Sequence, residues 1–111
     1  LSKGLHIKIN KPFYSRPYVD MTLNIMKGFG IQSLTDDDII KIKNQKFITG
    51  EYTVESDWSA ASYWYSIISI NNKINNLTLL GLSKNSNQGD SIISKLMNEF
   101  GVKTEFNDDG I

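Results

Sequence analysis

The sequence predicts a mixed fold of class α/β (α+β), laid out as two half-units. Each half-unit runs strand, serine-bearing loop, helix, Phe-Gly and a further strand. Three observations predict this. Leu5, Ile7 and Ile9 alternate with His6, Lys8 and Asn10, which is the period of a half-exposed strand. Met21, Ile25 and Phe29 recur at helical spacing, with Met26 beside them. Residues 23–31 (LNIMKGFGI) resemble residues 94–102 (SKLMNEFGV), and at the same offset Ser15 falls over Ser86 and the strand around Ile7 over that around Thr78. Repetition of this kind implies a repeated supersecondary unit, with Phe29 and Phe100 each buried as the anchor of a helix end.

The elements follow in order. Pro17 suits the first turn of a helix over 18–29, with Ser15 or Arg16 near its cap and Asp20 early in it. Gly30 is placed to end that helix in the left-handed conformation. After the acidic turn 35–38, residues 39–42 and 47–48 read as short antiparallel strands, 49–51 as a turn and 52–54 as strand-like. Asp57 is a good N-cap for a helix over 58–70, ended by Asn71 and Asn72. Residues 77–82 suit a buried strand. The polar loop 83–89 opens a third helix with an apolar stripe of Ile92, Ile93, Leu96, Met97 and Phe100, and Val102, Thr104 and Phe106 alternate as a last strand.

Composition excludes several classes. Twelve basic and twelve acidic residues balance to a net charge of zero, with no basic stripe for nucleic acid. No apolar run approaches a membrane span. There is no cysteine, so disulfides and thiolate metal sites are out, which fits a cytoplasmic protein. The opening at Leu1 and a hairpin signal at residues 107–110 without a returning strand lead us to expect a cut chain. Neither the lone His6 nor Asp36, Asp37 and Asp38 carries metal-ligand spacing, so no metal or cofactor is expected.

Three places could carry chemistry. Ser15, Arg16, Pro17 and Tyr18 put a hydroxyl, a guanidinium and a phenol at a helix start, where free N–H groups and a partial positive charge favour phosphate or carboxylate. A plain cap is the competing reading, and from the residues alone the more common one. Glu55 and Asp57 precede the second helix, where Asp57 again suits a cap. Residues 85–90 (NSNQGD) read as a polar loop with a cap. Trp58, Tyr63, Trp64 and Tyr65 read as core or interface.

These same places carry a resemblance to a known family. SRPYVDMTLNIM at 15–26 resembles the EPSP synthase stretch Ser-Lys-Pro-Tyr-Ile-Asp-Ile-Thr-Leu-x-Leu-Met. YTVESDWSAASYW at 52–64 resembles its Tyr-x-Val-Glu-Gly-Asp-x-Ser-Ser-Ala-Ser-Tyr-Phe, and GLSKNSNQGD at 81–90 its Gly-x-x-x-Asn-Ser-x-Gln-Gly-Asp. Order and spacing agree across essentially the whole chain, while Ser56 and Trp58 depart from the pattern. The related enolpyruvyl transferase acting on UDP-N-acetylglucosamine lacks these motifs in this form.

The resemblance implies an internal fragment of a two-domain enolpyruvyl transferase built from βαβαββ repeat units. Residues 1–54 would belong to one domain and 55–111 to the other, with the hinge near 50–57. It implies shikimate 3-phosphate and phosphoenolpyruvate as substrates and transfer of enolpyruvyl to the 5-hydroxyl of the former. Ser15 would hold the phosphate, Tyr18 would lie beside it and Arg16 would lend weaker electrostatic support. Asp57 and Glu55 would border the cleft or hinge. No catalytic residue is expected in this stretch, so the chain alone should be inactive, and its uncovered sheet edges favour self-association. The alternative from another class is a small non-catalytic α/β module binding an anion or a partner.

Overall fold

The structure, a computed structural model, describes residues 2–71 and 73–111. It divides into two compact units, Leu1–Tyr52 and Thr53–Ile111.

The first unit contains β1 (Leu5–Lys8), α1 (Arg16–Gly28), β2 (Ser33–Asp36) and β3 (Ile39–Ile42). The strands form an antiparallel sheet in the order β1-β3-β2, with Ile42 between Leu5 and Ser33 and Ile39 between Lys8 and Asp36. The period of two sends Ile40 and Ile42 to one face, where they bury with Ile31. Val19, Leu23 and Met26 of α1 close that core, together with Ile9. The row of α1 on this core therefore lies two to three residues before the expected Met21, Ile25 and Phe29, and includes the Met26 expected beside them. The acidic turn joins β2 to β3 with Asp37 at φ 46°, and Lys11 Nζ reaches its carboxylate at 2.8 Å.

The second unit contains α2 (Trp58–Ile70), a 3₁₀ turn (Gly89–Ile92) and α3 (Ile93–Asn98). Its core is Trp58, Ala61, Tyr65 and Leu82, with Leu79, Ile93, Met97, Val102, Phe106 and Ile111 packed around them. Trp58 is 0% exposed and meets Phe106 ring to ring at 6.3 Å. The Tyr65 hydroxyl pairs with that of Thr104 at 2.7 Å.

The two Phe-Gly segments share one backbone. Ile31 N–H donates to Met26 O and Gly30 N–H to Lys27 O; Val102 N–H donates to Met97 O and Gly101 N–H to Asn98 O. This is the Schellman ending, and both glycines take the positive φ it requires, +81° and +82°. The side chains do not repeat. Phe29 is half-buried and packs near Tyr52, but Phe100 is 75% exposed, against the expectation that both are buried.

Other expectations are also corrected. Residues 47–48 form no strand: the side-chain amide of Gln45, accepting from Gln32 N–H at 2.9 Å and donating to Gln32 O at 2.8 Å, takes the place a strand would fill. Residues 49–51 make no turn and 52–54 no strand. Residues 77–82 form no extended ladder: Leu79 bonds with Ile111 and Gly81 with Asp109 around one bridge, Leu80 to Gly110, and Leu80 is 67% exposed. Residues 102–106 keep the alternating burial of a strand without a ladder. Of the third helix's stripe, Ile93 and Met97 face the core. Ile92, Leu96 and Phe100 form the adjacent row of spacing four and are exposed, because a short helix beside Trp58 buries only one row. Asn71 closes α2 with a bond to Ile68 O, while Asn72 lies outside the described residues.

Candidate functional site

Ser15 is the N-cap of α1 and Pro17 lies in the first turn. A serine there normally turns its hydroxyl onto a first-turn N–H. Ser15 does not: its φ and ψ are −89° and 24°, outside the extended region a capping serine uses, and its side chain makes no cap bond. The exposed hydroxyl stays available beside a helix end whose first N–H groups have no intrahelical acceptor. Tyr18 is 65% exposed. Arg16 Nε donates to Asp20 at 2.8 and 3.0 Å, so its charge is shared with a carboxylate.

Glu55 and Asp57 form the second cluster. Asp57 caps α2, its carboxylate accepting from Ser59 N–H at 2.8 Å. Glu55 does more. Its carboxylate accepts from four donors: Trp58 Nε1–H and Ser83 N–H at 2.8 Å, Ser86 Oγ–H at 2.6 Å and Gln88 Nε2–H at 3.2 Å. Partial burial pushes the Glu55 carboxyl up, but the bonds from Ser86, Ser83, Trp58 and Gln88 outweigh it and hold it below its ordinary value of 4.5.

Gln88 completes the knot. Its Nε2–H donates to Ser56 O at 2.8 Å and its Oε1 accepts from Trp58 N–H at 2.9 Å, a second cap on α2. Asp90 accepts from the Ser59 hydroxyl. Ser86 and Gln88 of the loop 83–90 thus turn inward onto the head of α2, while the rest of the loop is exposed. The departures at Ser56 and Trp58 find their compensation here. Trp58 fills the core and donates to Glu55, and Ser56 fits against Gly81, where a Cβ would come within 2.5 Å of its hydroxyl.

The family model for EPSP synthase (3-phosphoshikimate 1-carboxyvinyltransferase) matches residues 1–111. The chain belongs to the EPSP synthase family. Similar curated relatives are the 3-phosphoshikimate 1-carboxyvinyltransferases of Bacteroides fragilis (strain YCH46), 42% identical over 100% of the chain, and of Methanocaldococcus jannaschii, 37% over 95%. That of Vibrio campbellii is 34% identical over 98%. The chain spans about a quarter of the length of these relatives: 27%, 24% and 26%.

Within this EPSP synthase segment, Ser15, Arg16 and Tyr18 gather at the head of α1 in the first unit. Glu55 and Asp57 gather with Ser86, Gln88 and Asp90 in the second. The roles of Ser86 and Gln88 were missed from the residues alone. The usable signal was the pairing of a Glu-x-Asp stretch with Asn-Ser-x-Gln-Gly-Asp in one family pattern. Among the described residues, no group of three or more His, Asp or Glu converges as a metal site, and no helix is long and apolar enough to cross a membrane.

Proposed function

We propose that the chain is the segment of a 3-phosphoshikimate 1-carboxyvinyltransferase that holds the phosphate of shikimate 3-phosphate at the head of α1. The whole transferase moves enolpyruvyl from phosphoenolpyruvate to the 5-hydroxyl of that substrate. The observation that carries the reading is the Ser15 hydroxyl, exposed at an N-cap it does not cap. Ser15 donates to a phosphate oxygen, the first-turn N–H groups and helix dipole favour the anion, and the Tyr18 phenol is a further donor. Arg16 adds a weaker charge, tempered by Asp20.

Residues 1–54 and 55–111 are read as parts of the two domains, with the hinge near 50–57 and Glu55 and Asp57 framing its second side. The proton-handling groups and the cations that grip phosphoenolpyruvate come from elsewhere in the transferase. Catalysis needs both sets, so the 111-residue chain alone is inactive. It self-associates through exposed apolar surface such as Tyr63, Leu80 and Phe100. The reaction so read calls for no cofactor, and the absence of cysteine fits a cytoplasmic setting.

The test is Ser15→Ala in the full-length transferase that contains this segment. A lost hydrogen bond to a charged group is worth about 1.5–3 kcal/mol, so affinity for shikimate 3-phosphate should fall roughly ten- to hundredfold. Affinity for phosphoenolpyruvate should change far less. An unchanged binding constant for shikimate 3-phosphate contradicts the assignment.

A further inference from the structure

The chain crosses from the first unit to the second through residues 49–54. Among the described residues, no hydrogen bond involves this stretch. The stretch lies near the first unit at Gly50 and Tyr52, whose ring is 6.3 Å from that of Phe29, and Val54 is exposed. One residue later the density of bonds changes abruptly. Glu55 takes its four donors from two separate places, the head of α2 and the loop 83–88. Ser56 N–H donates to Gly81 O at 2.8 Å and Ser56 O accepts from Gln88.

We propose that Glu55 is the anchor that makes residues 55–58 part of the second unit's rigid body, confining the flexible joint between the units to Thr53 and Val54. The inference is independent of what the protein binds. The chemistry of the position explains why a glutamate serves. Four donors converge on one side chain, and only an ionised carboxylate accepts from all of them without presenting a hydrogen of its own. Glutamine turns an N–H₂ against donors, and aspartate is one methylene too short to span α2 and the loop together. The anchor therefore lets go on protonation. The charged groups on the elements packed against it are Asp57 at the head of α2 and Lys84 and Asp90 in the loop. Asp57 is engaged by Ser59 N–H and Asp90 by the Ser59 hydroxyl, and the bonds that favour the Glu55 charge come from neutral donors.

The experiment is ¹⁵N NMR on the 111-residue chain, titrated from neutral pH into acid. The Ser83 amide, the Trp58 indole N–H and the Gln88 side-chain amide should shift with one shared midpoint below 4.5. In Glu55→Gln that shared transition should vanish. Amide exchange at Ser56 and Ser83 should rise by about tenfold or more, the factor for losing a charge-assisted bond. Fast backbone motion, limited to residues 53 and 54 in the wild type, should spread into 55–58. Glu55→Asp, too short to reach α2 and the loop together, should split the shared transition and raise exchange by less than Glu55→Gln does. Wild-type motion already running through 55–58, or Glu55→Gln exchange equal to wild type, overturns the proposal. If Glu55→Gln unfolds the second unit, the wild-type titration decides: a shared midpoint supports the anchor, and separate or absent midpoints refute it.

Discussion

Trp58 is the residue on which the second unit depends most, and replacing it separates packing from hydrogen bonding. Its side chain is fully buried against Ala61, Tyr65, Leu82 and Phe106, and its indole N–H donates to Glu55 at 2.8 Å. Trp58→Ala leaves a cavity and should cost about 3–5 kcal/mol. A unit of roughly sixty residues has about 3–9 kcal/mol of stability in all, so this loss brings the second unit to the edge of unfolding. Trp58→Phe keeps most of the apolar contact and removes the donor. Glu55 is only half-buried and water can take the vacated place, so the loss should be about 1–2 kcal/mol. The assay is urea denaturation followed by amide exchange, with Tyr65 in α2 reporting the second unit and Ile42 the first. Tyr65 should lose protection while Ile42, in a core of Ile31 and Ile40, keeps it. A Trp58→Ala loss below about 1 kcal/mol, or equal loss at Ile42, refutes the reasoning.

Three further outcomes are expected. The Glu55 carboxyl is held below its ordinary value in the folded state, so its contribution to stability is full above 4.5 and is lost as pH falls through the folded value; acid titration of second-unit stability checks the sign, and stability rising on acidification would contradict it. Gly28→Ala should stabilise α1 by about 0.5–1 kcal/mol, since nothing lies within 4 Å of its Cβ position, whereas Gly110→Ala should destabilise by about 2 kcal/mol or more because its Cβ would run into the Leu79 carbonyl; thermal melts compare them. Phe100→Ser should change stability by less than about 0.5 kcal/mol, which chemical denaturation would show, because the ring is exposed.

What was legible in the sequence is what local chemistry dictates. α1 follows from Pro17 and its Phe-Gly ending and α2 from Asp57, which is the cap its position predicts. The strand at 39–42 follows from its apolar run, but its partners are β1 and β2 rather than residues 47–48, and β2 runs two residues into the expected turn 35–38. The illegible parts depend on partners far along the chain. Residues 45–48 suit a strand, yet a single glutamine side chain satisfies Gln32 in its place. The stripe from Ile92 to Phe100 contains two rows, and only the position of Trp58 decides that Ile93 and Met97 are the buried one. At the candidate site, helix-start chemistry singled out Ser15, but that its hydroxyl leaves the cap unmade is a matter of φ and ψ. The Glu55 knot joins residues about thirty apart, which no local pattern reveals; only the family pattern put both stretches in view.

As a working part of a 3-phosphoshikimate 1-carboxyvinyltransferase, these residues should function inside a relative. The most direct measurement grafts residues 1–111 into the Bacteroides fragilis relative in place of its matching stretch and assays enolpyruvyl transfer. The chimera should bind shikimate 3-phosphate and turn over, and Ser15→Ala in it should weaken that binding. A chimera that folds but neither binds shikimate 3-phosphate nor turns over contradicts the proposed role of these residues.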